Sequence, residues 1–124
     1  MSNILIVDDN PVSIQMLSNI LRPTHEVYFA TNGERALEIT QQQALDMVLL
    51  DIIMPGMDGY EVCRRLKAAE KTRDIPVLCI TAMSQLEQAE KGFAVGISDY
   101  LEKPFNAAIV LNRVHNYLRL SRRN

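Results

Sequence analysis

Residues 48–61 have the sequence VLLDIIMPGMDGYE, an apolar run that contains one acidic residue and stops at a proline–glycine pair. A solid run of aliphatic residues predicts a strand that is buried on both faces, as parallel sheets require. Asp51 interrupts the run, which resumes for three residues before Pro55-Gly56 predicts a turn. A carboxylate in this position needs a partner, because a buried charge is costly when it is alone.

Four more short apolar runs occur along the chain, and stretches with helical spacing separate them. The five predicted strands cover residues 4–7, 26–30, 47–50, 76–80 and 98–102. The apolar stripes of the helical stretches should face the core, and they consist of Val12, Met16, Leu17, Ile20 and Leu21; Ala36, Leu37 and Ile39; Val62 and Leu66; and Val110, Val114, Tyr117 and Leu118. Five strands that alternate with five helices predict an α/β fold, a doubly wound parallel sheet with helices on both faces.

Two helix starts have clear signals. Asn10-Pro11 offers an N-cap followed by proline at the first helical position. Asp58 with Glu61 three residues later resembles a capping box, so we expect Asp58 to cap a helix rather than to belong to the site.

Length and composition indicate one soluble domain. With 124 residues and a net charge of -2, the chain should form a single unit over residues 1–124, and it has no broad positive field for nucleic acid. No apolar run approaches the roughly 18 residues of a membrane span. Cys63 and Cys79 lie in apolar stretches, which is typical of buried free thiols in a reducing compartment such as the cytoplasm.

Polar residues follow four of the predicted strands. Asp8 and Asp9 follow the first, Asp51 the third, Thr81 the fourth and Lys103 the fifth. The carboxyl ends of parallel strands share one edge of the sheet, where open α/β sheets bind ligands. Three carboxylates repel one another by about 1 kcal/mol per pair in water and more when partly buried, so a cation such as Mg²⁺ should join them. A lysine and a hydroxyl beside the metal indicate transfer of a phosphoryl group to Asp51.

The chain resembles a known family over nearly its whole length. The stretches ILIVDDN, LLDIIMPGMDGYE, ITA and DYLEKPF are similar, in order and spacing, to the receiver domains of two-component response regulators, the chemotaxis regulators among them. This resemblance implies the flavodoxin-like strand order 2-1-3-4-5. It also implies a signalling domain rather than an enzyme, one that assists only its own phosphorylation and dephosphorylation.

The resemblance assigns a role to each residue of the predicted site. Asp51 becomes the phosphoacceptor. Asp8, Asp9, Asp51 and the backbone carbonyl of Ile53 would hold Mg²⁺, and Mn²⁺ is expected to substitute for it.

The same resemblance gives roles to residues that would contact the phosphoryl group. Thr81 and Lys103 would bind its oxygens, Tyr100 would move inward as Thr81 moves, and Lys103-Pro104 would be a cis peptide. Ile53 and Met83 would flank the group. Because both are apolar, we expect a long-lived phosphorylated state.

The implied partners are a sensor histidine kinase or phosphotransfer protein as donor, and an effector domain or target protein as receiver of the signal. The altered face would comprise the fourth predicted helix, the fifth strand and the fifth predicted helix, near residues 84–120. Phosphorylation could also produce a homodimer through this face. We expect no contact with nucleic acid or membrane. The chain is either a complete messenger or the N-terminal part of a longer regulator.

Simpler interpretations remain open for individual residues. Asp8 could cap the following helix. Met54, Met57 and Met83 are most simply packing residues, and His25 and His115 are surface or core residues by default.

Three other functions compete with the receiver interpretation. A phosphatase resembling the haloacid dehalogenases needs Asp-x-Asp after its first strand, whereas this chain has Asp8-Asp9-Asn10. A flavin binder needs a Gly/Ser/Thr-rich phosphate loop there, but VDDNPVS is acidic. A degenerate receiver would lack a required side chain, and none is missing.

Overall fold

The structure, a computed structural model, describes residues 2–52, 54, 56–81 and 94–122. The strands are β1 (Asn3–Val7), β2 (Glu26–Ala30), β3 (Met47–Asp51), β4 (Val77–Thr81) and β5 (Asp99–Glu102). The helices are α1 (Pro11–Leu21), α2 (Gly33–Gln42), α3 (Gly59–Ala68) and α4 (Ala107–Arg122). The helix predicted between β4 and β5 lies outside the described residues, so α4 corresponds to the fifth predicted helix.

All five strands pair in parallel in the order β2-β1-β3-β4-β5. Both the doubly wound sheet and its strand order are therefore confirmed. The carboxyl ends of β1, β3 and β4 lie side by side at the centre of the sheet. Residues at the carboxyl ends of these three strands therefore lie close together at that edge.

Two apolar clusters fill the space on either side of the sheet. Alternate residues of the central strands belong to different clusters, so Leu50 and Cys79 face one side whereas Leu49 and Ile80 face the other. Helices α2 and α3 cover the first side, and α1 and α4 cover the second. Each fully buried aliphatic side chain contributes about 1.5–3 kcal/mol, so these two layers stabilise most of the fold.

The edge strands differ from the prediction of strands buried on both faces. That prediction holds for β3 and β4, every residue of which is buried, but it is wrong for β2 and β5. In β2 the side chain of Phe29 is 58% exposed. An edge strand has a neighbour on one side only, so the helices do not cover it fully.

The predicted stripe of α1 is also partly wrong. Val12 and Met16 are exposed, and the buried face is formed by Ser13, Ile14, Leu17, Ser18 and Leu21. Two small serines occupy positions on the core face. The hydrophobic pattern therefore selected a stripe that is rotated from the true one.

Helix caps agree with the sequence signals. The Asn10 side chain accepts a hydrogen bond from the Val12 N–H at 2.9 Å, with Pro11 at the first helical position. Asp58 accepts one from the Glu61 N–H at 2.9 Å, so its role as a cap is confirmed. The Glu61 carboxylate pairs with Arg64 and Arg65 instead of completing a capping box.

Candidate functional site

The predicted carboxylates meet at the carboxyl edge of the sheet. Asp8 follows β1, and its residue is fully buried, while Asp51 is the last residue of β3 and is 6% exposed. Asp9, next along the chain, is exposed. Carboxylate oxygens of Asp8, Asp9 and Asp51 all lie within 4.8 Å of one another. The structure thus brings together the three acids that the sequence predicted.

Lys103 supplies a positive charge to this cluster. Its Nζ lies 3.3 Å from Asp8 Oδ2 and 3.6 Å from Asp51 Oδ2. The backbone holds the lysine in place, because the Lys103 N–H donates a 2.8 Å hydrogen bond to the carbonyl oxygen of Thr81. Lys103-Pro104 is a cis peptide, as the resemblance implied. Counted over the described residues, one ammonium beside a cluster of three carboxylates leaves the site formally negative.

Asp8 has one oxygen that is available to a cation. Its Oδ1 accepts a hydrogen bond from the Asn10 N–H at 2.9 Å, so the capping role falls to Asn10 and not to Asp8. Its buried Oδ2 accepts no hydrogen bond from the residues that the structure describes; Lys103 forms an ion pair with it whose geometry is not that of an aligned hydrogen bond. A buried carboxylate oxygen without a hydrogen bond, beside two other carboxylates, fits a hard divalent cation.

Thr81 and Tyr100 lie on adjacent strands. Thr81, which is 3% exposed, is the last residue of β4 and pairs in register with Glu102. Tyr100 pairs with Cys79, two residues earlier on β4, so the side chains of Thr81 and Tyr100 belong to the same face of the sheet. Tyr100 is half-buried and packs against the cluster under α3. Ile53 and Met83 lie outside the described residues.

Two neighbours of Asp51 were not predicted from the sequence. Gly59, the first residue of α3, packs directly on the backbone of Asp51 and Ile52, and its N–H donates to the Ile52 carbonyl at 3.2 Å. Cys79 lies beneath the site. Burial first, and then the negative charge of Asp51, raises the pKa of its thiol, so it is protonated at neutral pH. A glycine just after a helix cap was the one available signal for the first contact.

Comparisons with known proteins agree with this geometry. A family model described as the response regulator receiver domain matches residues 4–115. A probable cyclic di-GMP phosphodiesterase of Vibrio cholerae is 42% identical over 119 residues, which are 96% of this chain and 27% of that protein. The DNA-binding dual master transcriptional regulator RpaA of Synechocystis is 39% identical over 120 residues, 96% of this chain and 50% of that protein. The chain thus spans between about a quarter and a half of these curated relatives.

A solved structure adds information about the metal. The receiver domain of a Pseudomonas aeruginosa sensor histidine kinase has 30% sequence identity and a TM-score of 0.87, and the match covers 94% of this chain and 97% of that one. That structure holds a magnesium ion coordinated in its active site cleft. Among the residues described for the present chain, no helix is long and apolar enough to span a membrane.

The family model and these relatives show what the chain is. It belongs to the response regulator receiver domain family and serves phosphorylation-dependent signalling in a two-component system.

Proposed function

We propose that Asp51 accepts the phosphoryl group and that the site around it binds Mg²⁺ in order to do so. The observation that supports this most strongly is the convergence of Asp8, Asp9, Asp51 and Lys103 at one buried edge. Asp51 shares the Lys103 ammonium and the neighbouring carboxylates with Asp8, but Asp8 is fully buried, whereas Asp51 is itself the last residue of β3 and is 6% exposed. The Lys103 ammonium can balance negative charge on an incoming phosphoryl group, and the neighbouring carboxylates can hold a metal cation that does the same.

Each residue of the site would have its own role in the phosphoryl transfer. Asp8, Asp9, Asp51 and the Ile53 carbonyl would hold Mg²⁺, with Mn²⁺ as a substitute, and the metal would neutralise negative charge on the phosphoryl oxygens. An oxygen of Asp51 forms the new bond to phosphorus as the bond from phosphorus to the donor breaks. Lys103 and the Thr81 hydroxyl then bind oxygens of the attached group.

The donor that this chemistry suits is a phosphohistidine of a sensor kinase or phosphotransfer protein, in the cytoplasm. The chain only assists reactions of its own Asp51. In a longer regulator, residues 1–124 would be the receiver domain, and an effector domain would follow.

The output would travel through β5 and α4. Arg113 of α4 donates a hydrogen bond to the Tyr100 carbonyl, and the Tyr117 hydroxyl donates to Asp99 Oδ2 at 3.1 Å or the Ser98 carbonyl at 3.2 Å. Movement of Tyr100 toward Thr81 would therefore disturb the hydrogen bond from Arg113 and shift α4. Sedimentation velocity with and without phosphorylation tests whether this face, near residues 84–120, forms a homodimer or serves a different partner.

The proposed function predicts a metal-dependent gain of mass. Incubation with acetyl phosphate and Mg²⁺ should add one phosphoryl group, detected by intact mass spectrometry, and omission of Mg²⁺ should prevent it. Asp9→Asn should need at least about tenfold more Mg²⁺, because it removes a ligand. Asp9 is exposed, so the variant should keep its stability within about 0.5 kcal/mol. Uptake that is indifferent to Mg²⁺ would contradict the proposed site.

Ile53 and Met83 should prolong the phosphorylated state. Two apolar side chains beside the phosphoryl group would hinder an attacking water and offer it no hydrogen bond. The double variant Ile53→Asn, Met83→Glu should therefore lose its phosphoryl group faster than the unmodified chain. Intact mass spectrometry over time measures the rate at which the phosphorylated form decays. Equal decay rates in the variant and the unmodified chain would contradict the proposed role of Ile53 and Met83.

A further inference from the structure

Two histidines that are 90 positions apart meet at the end of the sheet opposite the carboxylates. His25 immediately precedes β2, and His115 lies in α4. Their Nε2 atoms are 3.1 Å apart, and their ring centroids are 5.2 Å apart with a tilt of 59°. Because the centroids are farther apart than the two nitrogens, each ring points its Nε2 atom toward the other ring.

This geometry suits a shared metal ion as well as a hydrogen bond. Two nitrogens at about 2.0 Å from one metal lie about 2.8 Å apart at adjacent square-planar positions and about 3.3 Å apart at tetrahedral positions. The observed 3.1 Å falls between these two values. Neutral imidazole is a ligand for Zn²⁺, Cu²⁺ and Ni²⁺, whereas Mg²⁺ prefers oxygen. The two ends of the sheet thus offer donor sets of different chemical classes.

We infer that His25 and His115 form a second cation site, which binds a borderline divalent metal such as Zn²⁺ through both Nε2 atoms. In the metal-free pair one Nε2 carries a hydrogen and the other accepts it. On binding, that hydrogen is carried by Nδ1 of the same ring, both Nε2 lone pairs face the metal, and the neutral pair releases no net proton.

Burial of His25 fixes one of the two ligands before a metal ion binds. His25 is 7% exposed, so its ring is held by packing, while His115 is exposed and leaves the metal accessible from solvent. Within the described part of the chain, Asp8, Asp9 and Asp51 form the one group of three or more His, Cys, Asp or Glu side chains close enough to share a metal ion, so the protein ligands here would be the two histidines alone. Water would complete the coordination here, and the affinity should be lower than in sites with three or four protein ligands.

A metal at this position would connect α4 to the beginning of β2. Such a bridge exists only in the folded chain, so binding stabilises the fold by mass action. It would also anchor the middle of the helix whose Arg113 contacts Tyr100. The second site would therefore act on the same helix that the signalling face uses.

Titration with ZnCl₂ in the presence of excess Mg²⁺ tests the site, with calorimetry for stoichiometry and NMR for the ring signals of both histidines. The unmodified chain should bind one Zn²⁺, shift both histidines and gain melting temperature. The His115→Gln variant should bind Zn²⁺ at least about tenfold more weakly. Loss of a residue that only contacts a metal ligand already weakens metal binding by about tenfold or more, and here a ligand itself is lost. This substitution is at an exposed position, so the variant should still fold. Asp9→Asn, altered at the other site, should bind Zn²⁺ as the unmodified chain does.

The same experiment can overturn the inference. If zinc leaves the histidine ring signals unshifted, the pair is a hydrogen bond only. If His115→Gln binds zinc as tightly as the unmodified chain, the metal is held elsewhere. Either result removes the second site.

Discussion

Replacing Lys103 with methionine should raise the affinity of the site for Mg²⁺ and slow phosphoryl uptake by about a hundredfold. The Lys103 ammonium lies 3.3 Å from Asp8 and 3.6 Å from Asp51, so it competes with a metal for the same carboxylates. Two like unit charges at about 4 Å repel by about 4 kcal/mol near a protein surface. Relief of even a third of that repulsion improves Mg²⁺ binding about tenfold. The phosphoryl group would lose its cationic partner, and such losses cost about 10²–10³ in rate.

Stability should change in a way that Mg²⁺ reverses. The substitution removes the ammonium that lies 3.3 Å from the carboxylate of the fully buried Asp8. The free energy of unfolding should fall by about 1–3 kcal/mol, less than for a fully buried pair because Lys103 is partly exposed. Added Mg²⁺ should restore much of it.

Lys71→Met is the matched control for this variant. Lys71 is an exposed lysine whose Nζ donates to the Gln41 carbonyl, away from the carboxylates. It should leave both Mg²⁺ affinity and uptake unchanged. Calorimetric Mg²⁺ titration, thermal unfolding and uptake from acetyl phosphate measure the three effects. Weaker Mg²⁺ binding in Lys103→Met would show that the lysine helps to build the metal site instead of competing for it.

Gly59→Ala should displace Asp51 and slow phosphoryl uptake about a hundredfold. A Cβ at position 59 would lie 2.3 Å from the Asp51 carbonyl oxygen and 2.5 Å from the Ile52 Cα, so backbone must move. Overpacking of this kind costs about 1–3 kcal/mol of stability. A shift of about 1 Å in a reacting group is sufficient for a loss of about 10² in rate.

Gly56→Ala is the control for Gly59→Ala, because it should lower the stability of the fold without displacing Asp51. Gly56 has a φ of +79°, and a Cβ there would meet no atom within 4 Å among the residues that the structure describes. The substitution should cost about 1–2 kcal/mol through backbone conformation alone. Denaturant unfolding should therefore show similar losses for both alanine variants, while uptake should be slow in Gly59→Ala alone. Uptake at the unmodified rate in Gly59→Ala would mean that α3 does not position Asp51.

The sequence predicted the architecture well where one physical signal dominated. Solid aliphatic runs such as residues 47–50 form central strands, because only buried strands have apolar residues on both faces. The same rule failed at Phe29, because periodicity does not reveal which strand becomes an edge. It failed again in α1, where the core accepts Ser13 and Ser18 while Val12 and Met16 face solvent.

The site was predictable in its membership but not in its contacts. Asp8, Asp51 and Thr81 each stand at the carboxyl end of a central strand, and parallel pairing brings such ends together. The contact of Gly59 with Asp51 depends on how α3 packs, and the sequence around Gly59 indicates only a helix start. The meeting of His25 with His115 likewise depends on how α4 lies against the start of β2.

Identification of the phosphorylated residue tests the central claim most directly. An acyl phosphate on aspartate is reduced by borohydride to homoserine, which peptide mass spectrometry can locate after treatment with acetyl phosphate and Mg²⁺. We expect homoserine at position 51 and nowhere else, and none in an Asp51→Asn variant. Homoserine at Asp8 or Asp9, or none in a chain that has gained the mass of a phosphoryl group, would contradict Asp51 as the phosphoacceptor.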